Sequence, residues 1–165
     1  VACGMSKAYG LPGLRIGWVA GPSPMIAELW ARKDYLSIAP GSLSDHLAQV
    51  ALRPEVRPRI LARTRGLINA NLPALTEWMR GHHSGFRLVP PRAGAIAYPR
   101  YSWPVNSTKL MERLRDERSV LVVPGDQFGM DGYLRIGLGN EPAELKAGLA
   151  RMDGVLESLG RAPGF

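Results

Sequence analysis

The sequence predicts an α/β fold in two parts joined by a long helix, and three observations predict it. Apolar runs of strand character lead into and out of a glycine-rich bend near the start of the chain. A stripe of apolar residues at helical spacing then runs from residue 58 to residue 80. Beyond about residue 84 short apolar runs alternate with helical segments, the pattern of a small α/β domain.

A strand over 1–6, read as the end of a buried strand, enters the bend, and a second over 14–20 leaves it and stops at Gly21-Pro22. Apolar residues at helical spacing predict a helix over 24–36. A second helix over 42–52 opens with the capping pattern Ser42-x-x-Asp45 and is broken by Pro54. In the long helix Ile60, Leu61, Leu67, Ile68, Leu72, Leu75 and Met79 form the stripe, and Pro73 is expected to kink it. Strands are then expected over 86–89, 95–98, 120–123 and 133–138, with helices over 107–118 and 142–159. No internal repeat or low-complexity segment is present.

Composition narrows the functional classes. Of 165 residues, 45% are hydrophobic and 21% charged, and no run approaches the roughly 20 apolar residues of a membrane span, so a cytoplasmic protein is expected with no membrane partner. The single cysteine, Cys3, excludes an internal disulfide and is read as a buried strand residue. His46, His82 and His83 lack neighbours at ligand spacing, and no metal site is expected. The net charge of +7 would suit a nucleic-acid partner. Its distribution argues otherwise: the basic residues are spread along the chain, and Arg53, Arg57, Arg59, Arg63 and Arg65 form the only concentration, without interleaved aromatics. Those five are read as a solvated face or an interface.

The chemistry concentrates in Gly4-Met5-Ser6-Lys7-Ala8-Tyr9-Gly10-Leu11-Pro12-Gly13-Leu14-Arg15-Ile16-Gly17-Trp18. A lysine amine condenses with an aldehyde to give a Schiff base, and an arginine eight residues on, across a glycine-rich bend, can grip a phosphate with two hydrogen bonds. Pyridoxal 5'-phosphate carries both groups. A second string, Val122-Val123-Pro124-Gly125-Asp126-Gln127-Phe128-Gly129 and then Gly132-Tyr133-Leu134-Arg135-Ile136-Gly137-Leu138-Gly139, puts one guanidinium on an apolar strand, where its planar fork suits a carboxylate. Gly137-Leu138-Gly139 lacks the third glycine of a dinucleotide fingerprint.

These strings resemble class I/II aminotransferases, fold-type I pyridoxal-phosphate enzymes of the aspartate aminotransferase superfamily. Gly4, Ser6, Gly10, Leu11, Arg15, Ile16 and Gly17 match the lysine signature, whereas Gly4 stands where many relatives carry a phosphate-binding hydroxyl. The resemblance covers essentially the whole chain. It implies Lys7 as the Schiff-base lysine, Ser6 and Arg15 as phosphate ligands, and Arg135 as the ligand of the substrate α-carboxylate. It implies also the C-terminal part of such a fold: 1–57 closing a large, mainly parallel-sheet domain, 58–82 as linking helix and 83–165 as small domain. The expected activity is transfer of an amino group between an amino acid and a 2-oxo acid by a homodimeric full-length enzyme. The chain alone is expected to be an inactive C-terminal fragment. Two other readings stay open: a lyase or cyclising synthase on the same fold, and the aminotransferase-like module of a transcription regulator.

Overall fold

The computed structural model describes residues 1–82, 85–161 and 163–164, so His83 lies outside the described residues. The chain divides into two compact units, Val1–Arg65 and Gly66–Phe165, each with its own core.

In the first unit, β1 (Ala2–Gly4) and β2 (Gly17–Val19) form an antiparallel ribbon that pairs Ala2 with Val19, Cys3 with Trp18 and Gly4 with Gly17. Both strands are shorter than the apolar runs predict and β1 is not buried; Cys3 is exposed. The reason is local: residues Pro12–Leu14 close a 3-10 turn and Arg15 takes a left-handed conformation, so extended chain resumes only at Gly17. Among the described residues each strand of the ribbon has the other as its one strand partner.

Helix α1 (Ser23–Lys33) buries no residue, and α2 (Ser42–Leu52) buries Ala48 and Ala51. The capping box does not form. Gly41 is the N-cap residue of α2 without a side-chain bond, and the Asp45 carboxylate accepts from Gln49 Nε2 at 2.8 Å one turn along. The helix ends where Arg53 turns extended ahead of Pro54, the conformation a succeeding proline enforces. Met5, Tyr9, Ala48 and Ala51 form the core of this unit, flanked by Leu11, Leu14, Ile16, Ile60 and Leu61.

Helix α3 (Arg57–Gly81) carries Pro73 inside it. Its apolar stripe serves both units: Ile60 and Leu61 pack on the first core, while Ile68, Leu72, Leu75 and Met79 belong to the second.

The second unit is built on antiparallel strands. β3 (Phe86–Arg87) pairs with β5 (Arg100–Tyr101), and β4 (Ile96–Ala97), β7 (Leu134–Gly137) and β6 (Val123–Pro124) form a three-stranded sheet in the order β4-β7-β6. The strand expected over 120–123 is displaced to Val123–Pro124, although Val120 and Val122 are buried as apolar residues there should be. β5 has no signal in the sequence, because Pro99 interrupts the run that β4 begins. Helices α4 (Ser107–Arg118) and α5 (Pro142–Ser158) cover one face, where Leu110, Leu114, Leu149, Met152 and Val155 meet Leu134, Ile136 and Leu138. Asn106 caps α4 by accepting from Thr108 N and Lys109 N, and buried Asn71 of α3 donates to the carbonyls of Leu138 and Asn140.

Candidate active site

The loop between β1 and β2 is a closed structure. Met5 N donates to Ile16 O, Leu11 N to Met5 O and Gly10 N to Lys7 O, all near 3 Å, so residues 5–16 fold back on themselves and Lys7 opens a tight turn. Gly10 sits at φ +62°, and a Cβ there would stand 2.8 Å from Arg63 Nη2. Only glycine meets both conditions without cost.

The loop is braced from α3. Arg63 Nη2 donates to the carbonyls of Tyr9 at 3.0 Å and Gly10 at 3.4 Å, and Arg57 Nε donates to Tyr9 Oη at 3.1 Å. Two of the five clustered arginines therefore hold the lysine loop in place and are not a merely solvated face. No local pattern announces this, since each arginine reaches a partner about fifty positions away. Tyr9 is core, edge-on to Trp18, and Tyr35 is exposed.

Ser6 and Arg15 come together. Arg15 Nη1 donates to Pro12 O at 3.0 Å and reaches Ser6 Oγ at 3.5 Å, a long contact that marks proximity more than bond strength. Arg15 adopts φ 53°, ψ 33°, rare for a residue with a Cβ, and this is what turns its side chain back over the loop. Lys7 is exposed, and its amine has no hydrogen bond or ion pair among the described residues. The donor set fits pyridoxal phosphate: a hydroxyl and a guanidinium converge where a phosphate would be held, beside an amine free to meet an aldehyde. Gly4 adds no side-chain ligand.

Arg135 lies in the second unit. Leu134, Ile136 and Leu138 point into the core, so Arg135 faces the other side of β7, half-buried, with no hydrogen bond or ion pair among the described residues. Val123 stands opposite it on β6. The string before this strand is largely structural. Asp126 accepts from Thr108 Oγ1 at 2.8 Å and Asn106 Nδ2 at 3.0 Å, and its N–H donates to Ser107 Oγ. The Thr108 bond, more than the others, holds its carboxyl below the usual range. Gly125 is forced by packing, since a Cβ there would come within 2.1 Å of Met130 O.

The remaining histidines serve other ends. His46 lies on α2; His82 Nδ1 is 3.0 Å from Trp78 O and its Nε2 3.3 Å from Asp153, within a cluster of Trp78, Phe86 and Trp103. Among the described residues no three His, Cys, Asp or Glu side chains gather as a metal site would require, and no helix is long and apolar enough to cross a membrane.

Comparison with known proteins places the chain in a family. The family model for aminotransferase class I and II matches residues 1–152. Capreomycidine synthase of Streptomyces vinaceus is 36% identical over 159 residues, covering 94% of this chain and 39% of that protein. An aspartate aminotransferase of Pyrococcus abyssi is 29% identical, covering 93% of this chain and 40% of its own length. The crystal structure of a PLP-dependent aminotransferase from Streptococcus suis superposes with a TM-score of 0.90 at 31% identity, over 96% of this chain and 41% of that one. The chain thus spans about two fifths of the length of its relatives, the C-terminal part of the fold-type I architecture.

Proposed function

Because the chain belongs to the class I and II aminotransferase family, we propose that it carries the lysine loop and carboxylate-binding strand of a pyridoxal-phosphate-dependent aminotransferase acting on an amino acid and a 2-oxo acid. The observation that carries this reading is the convergence of Ser6 and Arg15 beside the unpartnered amine of Lys7. Ser6 and Arg15 would hold the cofactor phosphate and Lys7 its aldehyde carbon; once bound, the cofactor supplies an electron sink for the substrate's Cα. Displaced from the aldehyde carbon by the amine of the substrate, Lys7 Nζ would then take the proton from Cα as general base. Arg135 would grip the substrate α-carboxylate through its two-pronged fork and orient the Cα–H bond. Arg57 and Arg63 keep the loop that presents Lys7 in register.

The similarity to capreomycidine synthase favours a second reading, a cyclising synthase with the same cofactor and the same lysine. Both use Lys7 and Arg135 alike and diverge only after proton removal. Incubation of the full-length protein with amino-acid donors and 2-oxo-acid acceptors distinguishes them. Transfer yields a new amino acid and a new 2-oxo acid in equal amounts, whereas cyclisation yields one product and consumes no 2-oxo acid. In the first reading the full-length protein is a cytoplasmic homodimer, which rests on the family resemblance; size-exclusion chromatography tests the dimer.

A further inference from the structure

The sheet of the second unit sets a tyrosine beside Arg135. Ala97 pairs with Ile136, Arg100 forms a bridge with Tyr133, and Leu134 N donates to Pro99 O. This register, bracketed on both sides, places Tyr98 directly opposite Arg135. Residues opposite each other in an antiparallel pair share one face, with Cβ atoms about 5 Å apart. The other face is accounted for by Ala97, Tyr101, Leu134, Ile136 and Leu138, all core residues.

The Tyr98 hydroxyl is closed off from water and has no hydrogen-bond partner among the described residues. A buried hydroxyl in that state calls for an explanation, since such groups are nearly always paired. Its ring stacks on Tyr133 with centroids 5.3 Å apart and planes 22° apart, which limits the swing of the phenol. The acidic neighbour Asp126 is already engaged by Asn106 and Thr108. A donor without an acceptor thus stands beside a guanidinium without a counter-ion, and the group that satisfies both is an anion with two oxygens. Burial above all, then Tyr133, raises the phenol's pKa; Arg135 opposes this and Asp126 adds to it. The hydroxyl therefore keeps its proton, and its role as donor, through the neutral range.

We infer that Tyr98 is a substrate-binding residue that donates a hydrogen bond to the carboxylate gripped by Arg135. This rests on the reading of Arg135 as the carboxylate ligand. Arg135 supplies charge and a planar fork; Tyr98 supplies a third, directional donor that a neutral group with one acceptor uses poorly. Tyr98 thereby contributes to the preference for a carboxylate over an uncharged isostere.

Calorimetric titration of the full-length protein with 3-phenylpropionate and with the uncharged 3-phenylpropionamide tests this without turnover. Tyr98→Phe should raise the Kd of the carboxylate about tenfold, the loss expected for one hydrogen bond to a charged acceptor, and leave the amide unchanged. The substitution removes only a hydroxyl, and an undiminished melting temperature checks that the fold is retained. If Arg135→Lys weakens the carboxylate while Tyr98→Phe shifts it less than twofold, or shifts carboxylate and amide equally, the inference about Tyr98 is overturned and the role of Arg135 stands. If Arg135→Lys leaves the carboxylate Kd unchanged, the reading of Arg135 itself fails and the inference falls with it.

Discussion

Arg15 shows how one residue joins strain to chemistry. A non-glycine residue in the left-handed region costs on the order of 1–3 kcal/mol, and here that conformation turns the guanidinium back toward Ser6. Arg135 is held differently, on a regular strand with core on its other face. The two arginines should therefore fail differently in the full-length protein. Arg15→Ala should loosen the cofactor, read as a raised cofactor Kd by absorbance titration. Arg135→Lys should leave cofactor absorbance intact and weaken amino-acid substrates roughly ten- to 150-fold, the equivalent of a charge-assisted interaction of about 1.5–3 kcal/mol. The reverse pattern would refute this division of labour. Arg63 adds a third case. Arg63→Ala removes two bonds to the carbonyls of Tyr9 and Gly10 and should lower stability by about 1 kcal/mol in denaturant unfolding, with weaker cofactor retention because Lys7 lies in the braced turn. Lys7, Arg15 and Arg135 were legible in the sequence as candidates because their motifs are local and their side-chain chemistry is specific. Arg63 and Tyr98 were not: one acts on a loop some fifty positions away, the other through cross-strand register, and neither relation leaves a pattern along the chain.

At the scale of elements, the N-terminus of α4 is tied by several side-chain bonds. Asn106 caps it, Asp126 accepts from Thr108 and Asn106, and Asp131 accepts from the backbone N–H groups of Ser107 at 2.7 Å and Gly132 at 2.9 Å. These bonds, led by that from Ser107 N, depress the Asp131 carboxyl. A carboxyl depressed in the folded state contributes stability above its unfolded pKa of about 3.9 and loses it as pH falls through the folded value. Asp131→Asn should therefore be less stable than the native protein at pH 7, and the difference should shrink as pH is lowered below about 4. A difference that stayed constant with pH, measured by denaturant unfolding, would remove Asp131 from this role. The helices 42–52 and 107–118 were legible because apolar spacing and a proline or an N-capping residue bound them. The short strands were not: Pro99 and Pro124 interrupt the runs that would have marked β5 and β6, and the Ser42 box gave way to the Asp45–Gln49 contact.

At the scale of the whole molecule, the division into two units reflects which side chains share a core. The periodic stripe on α3 predicts a helix but not that its apolar residues feed two clusters, because periodicity encodes a face and not the partner of that face. The second core is the larger, and Leu134→Ala, at a position fully buried within it, should cost about 2–5 kcal/mol in unfolding free energy. Residues 1–165 span about two fifths of the relatives, and Lys7 is exposed within them. By themselves they should neither turn over an amino acid nor retain the cofactor stoichiometrically, in contrast to the full-length protein. The central claim concerns the full-length protein's Lys7, and trapping tests it most directly. Borohydride reduction of the full-length protein loaded with pyridoxal phosphate, with peptide mass spectrometry of the product, should place the reduced cofactor on the peptide containing Lys7, and Lys7→Ala should abolish both the label and the visible absorbance. Stoichiometric label on another lysine, with the absorbance surviving in Lys7→Ala, would contradict it.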